Sequence, residues 1–357
     1  MFQIILLLIT AVGMKNHVLV IPPLIQTAKK DSWISVLLAM LIAFVCIWMI
    51  VSIHKKTKKE NLLKWLNEHV NKGVVAFLVG LLLLIFTIMS VVTLRETVTW
   101  INISLLPKTP EFVTAIILGL VCLLTACTNL KSICIINQFL LFFVVILGFF
   151  VATVNMQHKD FSLLLPVFEH GYRPILKGIL YPLSGFIELI FILFIQDQIK
   201  EKLRFRYLAV TLFILTGLTI GPLVGAIIEF SQGEAERLRF PAYEEWELVA
   251  IGHFIEHIFF FVIYQWLTGA FIRITLMFFF IRELLSLINK KVNQLFFAIF
   301  IVVIVLTLYP MNDFQYSFIL FYVLIPFTAI FFIGFTIILY GFVTFAARHE
   351  KGMKNEA

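Results

Sequence analysis

Residues 11–23 read Ala11-Val12-Gly13-Met14-Lys15-Asn16-His17-Val18-Leu19-Val20-Ile21-Pro22-Pro23. An apolar run that begins at Phe2 is crossed here by a lysine, an asparagine and a histidine, and then by two prolines. A second long apolar run carries a matching interruption, Tyr181-Pro182-Leu183-Ser184-Gly185, with Glu188 just beyond it.

The composition says what solvent these runs sit in. Apolar residues make up 61% of the chain and charged residues 14%, with a mean hydropathy of +1.01. Soluble domains hold roughly 45–50% apolar and about 25% charged residues, so most of this chain is dissolved in lipid. The net charge of +7 suits the cytoplasmic loops of a membrane protein rather than a nucleic-acid partner. Cys46, Cys122, Cys127 and Cys134 lie in or beside apolar runs and form no CxxC pair, so they read as small membrane-helix residues. No basic residue precedes the first run, which therefore reads as a membrane span and not a signal peptide. Its abrupt start also predicts a short cytoplasmic leader upstream.

Runs of about 20 residues can span a bilayer, and their backbone groups must be satisfied internally, so they are helices. Such runs fall at 2–28, 33–53, 74–103, 112–129, 133–156, 174–198, 207–230, 248–280, 293–311 and 316–346. The fold class is thus all-α integral membrane, with ten spans in a single polytopic domain over residues 1–357. With the N-terminus inside, the inner loops hold 17 Lys and Arg and the outer loops 8, which places both termini in the cytoplasm. Residues 347–357 form a cytoplasmic tail. Residues 54–72 read as a basic amphipathic helix, solvated or lying in the headgroups, with Trp65 on its apolar side.

The two interruptions fall in spans one and six. Five spans is an odd number, so two halves of five, about 1–156 and about 172–346, would enter the membrane from opposite sides. Interrupted helices at corresponding positions of inverted repeats point to a transporter-type binding site. The first and sixth helices are therefore expected to be broken, unwound near Gly13–Asn16 and Pro182–Gly185. Lys15 is about thirteen residues into its span and Glu188 about fourteen into its own, so both lie near the midplane at 1.5 Å per residue. In one reading Lys15 and the free N–H groups around Gly13, Met14 and Asn16 take a ligand carboxylate. Carbonyls of Pro182, Leu183, Ser184 and Gly185, with Glu188, then take an ammonium. In the other, Lys15 and Glu188 form a structural ion pair. Ser90 and Thr93 lie at similar depth on span three and read as ligand contacts or as helix–helix hydrogen bonds.

Arg95 and Glu96 are expected to snorkel to the outer interface or to gate it, and Arg273 to anchor the inner end of span eight. Glu256 sits about two turns inside that span and must face protein or a cavity. With Phe259 it is a further candidate ligand contact. His253-Phe254-Ile255-Glu256-His257 matches the H-x-x-E-H pattern of a zinc-protease group, but no third ligand follows, and Phe259 stands where a carboxylate would be needed. No metal, cofactor or catalytic group is expected.

The run Arg239-Phe240-Pro241 through Phe254-Ile255-Glu256-His257 resembles the signature of the B subunit of bacterial spore nutrient-germinant receptors. So do Leu105-Leu106-Pro107-Lys108-Thr109-Pro110, Ala28 to Trp33, Leu164-Leu165-Pro166-Val167 and Gly185 to Glu188. The resemblance runs in order through nearly the whole chain. It departs at His257-Ile258-Phe259, where the family usually continues with an Arg-Leu-Asp-type run. That family is similar to the amino acid–polyamine–organocation permeases. The resemblance implies a ten-helix bundle of inverted repeats and a site between spans one, three, six and eight for a small nutrient such as an amino acid. It implies partnership with an A subunit and a lipoprotein C subunit in the spore inner membrane. An active amino-acid permease with alternating access is the alternative.

The topology predicts the outcome of cysteine labelling in intact cells. A cysteine replacing Lys58 or Lys351 should react only after permeabilisation, and one replacing Ser231 should react without it. The opposite pattern would overturn the orientation.

Overall fold

Hydrocarbon offers no partner for a free N–H or C=O, so an apolar chain closes its backbone bonds within helices. The computed structural model describes residues 1–249, 259–288 and 291–355, and among these the regular structure is entirely helical. Helix α1 (Phe2–Met14) passes into a π-helical turn (Lys15–Leu19) and then α2 (Ile21–Ala28). Next come α3 (Ser32–Lys56), α4 (Leu62–His69), α5 (Lys72–Ser104), α6 (Glu111–Ala126) and α7 (Leu130–Val154). Helices α8 (Tyr172–Gly178) and α9 (Leu180–Phe186) lead into a 3₁₀ segment (Ile187–Gln198). Then follow α10 (Phe205–Ala235), α11 (Pro241–Glu247), α12 (Phe259–Ile288), α13 (Val292–Thr307), α14 (Asp313–Ile319) and α15 (Ile325–Asn355). Among the described residues, seven segments are long and apolar enough to cross a membrane, and α6 and α13 are shorter apolar helices.

Burial ranks the spans. The apolar window of Tyr172–Gln198 is 89% buried and that of Phe2–Leu19 is 72% buried, whereas that of Leu130–His158 is only 22% buried. The two spans with polar interruptions are therefore the central posts, and α7 is peripheral, with Phe139, Phe142 and Phe149 exposed. Around the posts, α5 packs along α12, and α3 packs against both α10 and α15.

The expected unwinding is not found, and this is a correction. The first helix crosses Gly13–Asn16 without a gap and widens into the π turn, where Val20 N donates to Lys15 O at 3.1 Å. The reason lies in Pro22 and Pro23, which occupy the first turn of α2, where a missing N–H has no helical partner to lose. In the sixth span, α9 likewise runs straight through Pro182–Gly185, with Pro182 in its first turn. The backbone changes form one turn later, tightening to 3₁₀ over twelve residues. Such runs rarely exceed 3–4 residues. At about 2.0 Å per residue the segment reaches about 24 Å, against about 18 Å as α-helix.

The loop helix α4 also departs from expectation. Its apolar face, Leu62, Leu63, Trp65 and Leu66, is buried against protein rather than headgroups. Asn61 caps it by accepting from Leu63 N and Lys64 N.

The two posts touch most closely at Gly185, where an added Cβ would overlap Asn16 Oδ1. Gly185→Ala should destabilise the purified protein by about 3 kcal/mol, the upper end of overpacking costs. Gly80→Ala, whose Cβ would meet nothing, should be neutral or slightly stabilising in the same thermal melt. Equal melting of the two variants would refute this packing.

Candidate functional site

Three charged side chains meet between the posts. Lys15 Nζ lies 2.9 Å from Glu188 Oε1 and also donates to Ser184 O at 2.9 Å and Thr328 Oγ1 at 3.2 Å. Arg273 donates to both carboxylate oxygens, from Nη1 to Oε2 at 2.7 Å and from Nη2 to Oε1 at 3.0 Å. Its remaining bonds go to Ala11 O at 2.7 Å and Thr93 Oγ1 at 3.3 Å. Lys15, Glu188 and Arg273 are all buried. Two cations thus flank one carboxylate, and the three protons of Lys15 all point at protein acceptors. Charge-assisted bonds of this kind are about twice as strong as neutral ones, and the bidentate fork adds orientation.

Arg273 corrects the sequence reading, which put it at the inner end of a span running from 248 to 280. It is buried and bonded to Glu188 rather than anchoring an interface. Glu96 is a second correction. It is buried rather than snorkelling, with Arg239 Nη2 2.8 Å from its Oε1. Arg239 also donates to Ser317 Oγ, tying the outer loop to α5 and α14. Arg95 donates to the carbonyls of Thr307, Tyr309 and Met311, closing the C-terminal end of α13.

The other candidates divide. Asn16 Nδ2 donates to Pro182 O at 3.4 Å and to Thr219 Oγ1 at 3.2 Å, while its Oδ1 is buried without a partner. Ser184 contributes its carbonyl, and its hydroxyl donates to Tyr181 O within the same helix. Thr93 reaches Arg273, but Ser90 donates only to Phe86 O, one turn back on its own helix. Met14 packs against Gly269, where a Cβ would come within 2.8 Å of its sulfur. Leu183 is buried and apolar, and Gly13 has only ordinary side-chain contacts around it. Glu256 and the H-x-x-E-H run lie outside the described residues, as does the side chain of Phe259.

Aromatic layers bound the charges on both sides. Trp100 and Trp266 stack at 4.5 Å towards the predicted outer face, with Phe240 and Tyr243 edge-on to them. Towards the predicted inner face, Phe86, Phe191, Phe194 and Phe280 cluster with centroids 5.2–5.8 Å apart. The spacing is regular. On α5 the order is Phe86, Thr93, Trp100, and on antiparallel α12 it is Trp266, Arg273, Phe280. Seven residues are two turns, about 10.5 Å, so each helix carries an aromatic two turns above and two turns below its polar member. This repeat about Arg273 is the sequence signal that could have found it. The 3₁₀ form matters here too. Residues three apart eclipse in a 3₁₀ helix, so Glu188, Phe191 and Phe194 fall on one line facing the same wall.

Apolar helices enclosing a charged centre sealed between aromatic layers define a multi-pass membrane protein with an occluded polar core. The chain belongs to the spore germination protein family, which it matches over residues 1–316. It is 39% identical over 343 residues to spore germination protein XB of Bacillus anthracis, covering 96% of each chain. It is 24% identical over 284 residues to the putative spore germination protein YfkT of Bacillus subtilis strain 168, covering 79% of this chain and 77% of that one.

The network predicts an order of damage. Glu188→Ala strands two buried cations and should cost about 3–5 kcal/mol. Arg273→Met should cost less, and Lys15→Met least, because Glu188 then keeps both bonds from Arg273. Thermal melting of the purified variants checks the order, and a Lys15→Met protein no more stable than Glu188→Ala would contradict it.

Proposed function

We propose that this chain is the membrane subunit of a spore nutrient-germinant receptor, with a small zwitterion such as an amino acid as its ligand. The observation that carries the reading is the Lys15–Glu188 pair, formed between the first and sixth helices midway between two aromatic layers. A zwitterion has the same charge pattern as the pair. Its carboxylate can replace Glu188 at Lys15, and its ammonium can replace Lys15 at Glu188. Arg273 keeps the carboxylate partnered during the exchange. Inserting a ligand into the pair parts the two posts, and a ligand shifts such an equilibrium only by binding one state more tightly. Partner A and lipoprotein C subunits, which the family resemblance implies, would read that change in the spore inner membrane. The reading adopts ten crossings, counting α6, α12 and α13 with the seven longer segments, in two inverted halves with both termini cytoplasmic.

A thermal-shift screen of amino acids on the purified chain tests this. A ligand at 100 times its Kd should add about 2.7 kcal/mol of stability. Amino-acid amides and N-acetyl amino acids, each lacking one charge, should add none. Lys15→Met should abolish the shift while still folding. A shift that persists in Lys15→Met, or with either blocked analogue, would overturn the proposed site. Saturable, gradient-coupled uptake of the ligand into proteoliposomes would instead identify a permease.

A further inference from the structure

A second buried polar cluster lies apart from the Lys15–Glu188–Arg273 centre, at the predicted outer ends of α7 and α10. Glu229 on α10 has a side chain that is only 1% exposed. Asn155, which follows α7 and is itself buried, donates from Nδ2 to Glu229 Oε2 at 3.1 Å and to Glu245 O at 2.6 Å. Glu245, on α11, lays its carboxylate against α10 at Gly225, where a Cβ would come within 2.7 Å of Oε1. A methyl group there would expel the carboxylate, so the glycine is what admits it.

Asn155 Oδ1 and Glu245 Oε1 are shielded from solvent and accept no hydrogen bond, while the equally shielded Glu229 Oε1 meets Lys159 in an ion pair. The Asn155 oxygen is independent of the two acids. Its amide nitrogen is held by Glu229 and by the Glu245 backbone, so its oxygen is confined to the same spot with nothing to accept from. Such orphaned acceptors cost about 1–3 kcal/mol each unless a donor or a cation satisfies them. The backbone adds to the negative field. Ser231, at φ 67°, breaks the helix just after Glu229, so the cluster sits at the carbonyl end of a helical segment, which favours a cation. Burial, reinforced by the neighbouring Glu229, pushes the Glu245 carboxyl well above the usual carboxylate range. Lys159 supplies a nearby cation, with Nζ 3.6 Å from Glu229 Oε1 and also donating to Ala152 O.

We propose that Glu229, Glu245 and Asn155 form a binding site for a small monovalent cation, Na⁺ or K⁺. The donor set is all oxygen, which suits a hard cation. The charge count selects a monovalent one. With both carboxylates ionised around a bound ion, Lys159 leaves a single negative charge, which one monovalent ion neutralises and a divalent ion overshoots. A proton is the rival occupant. It would neutralise one carboxylate but offer a single donor, whereas an ion has several coordination positions for the unpartnered oxygens. The site would staple α11 to α10 and the end of α7, and so hold the segment that delivers Arg239, Phe240 and Tyr243 over the outer aromatic layer.

The test is thermal melting of the full purified chain, with NaCl, KCl or CaCl₂ replacing N-methylglucamine chloride at constant ionic strength. The expected result is a saturable rise in Tm with Na⁺ or K⁺, absent in Glu245→Gln. Lys159→Ala should lower the half-saturating concentration about tenfold, since it removes a competing charge. That variant also decides the matter should Glu245→Gln fail to fold. The proposal is overturned by equal melting in all salts, by a Na⁺ or K⁺ shift that survives in Glu245→Gln, by a larger shift with Ca²⁺, or by Lys159→Ala leaving the titration unchanged. It is likewise overturned if Glu245→Gln melts above the wild type in every salt, which would mark a protonated carboxyl.

Discussion

Glu188 is a carboxylate in a place that rejects charge. Moving such an ion from water into a medium of low dielectric costs on the order of 20 kcal/mol in the idealised limit, and several kcal/mol even after relaxation. It is tolerated here because three charge-assisted bonds reach it from two cations on different helices. Lys15 in turn draws on Ser184 and Thr328, and Arg273 on Ala11 and Thr93. One ionic centre therefore links the first helix, the sixth span, α5, α12 and α15. The arrangement leaves one more positive than negative charge, softened by the carbonyls of Ser184 and Ala11. A network of this kind contributes less to stability than to register, since only one alignment of five helices satisfies every donor.

The aromatic layers follow from the same constraint. Charge–charge attraction is strong only where water is kept away. Trp100 and Trp266 on one side and the Phe86–Phe280 cluster on the other provide that exclusion at a fixed two-turn spacing. The 3₁₀ form of residues 187–198 is the local compromise that brings Glu188, Phe191 and Phe194 onto one edge. An α-helix would rotate each of these away from the last by about 60°. Backbone geometry is here subordinate to side-chain alignment, and the long buried 3₁₀ run is a place where an uncommon conformation is held by its surroundings.

Toward the predicted outer face the polar groups again work in pairs across elements. The Arg239–Glu96 ion pair joins the loop ahead of α11 to α5, and Arg95 closes the end of α13. Each holds a connecting segment against the bundle near the aromatic layer. The loops are thus part of the enclosure of the charged centre.

Much of this was legible in the residues themselves. Hydropathy is a local sum, so the membrane environment and the helical class needed no partner to be identified. The depth of Lys15 and Glu188 came from counting along runs whose starts were clear, and the two do meet. Tertiary structure decided the rest. Arg273 joined the centre because α12 packs against the first and sixth spans, where Glu188 meets its guanidinium. The prolines promised unwinding, but they sit in first turns where a missing N–H is harmless, and the packing chose π and 3₁₀ geometry instead. Glu96 and Asn155 are buried only because Arg239, Glu229 and Glu245 arrive from distant parts of the chain. Polarity and depth are written along the sequence, whereas the partner that makes a buried charge tolerable is set by which helices pack together.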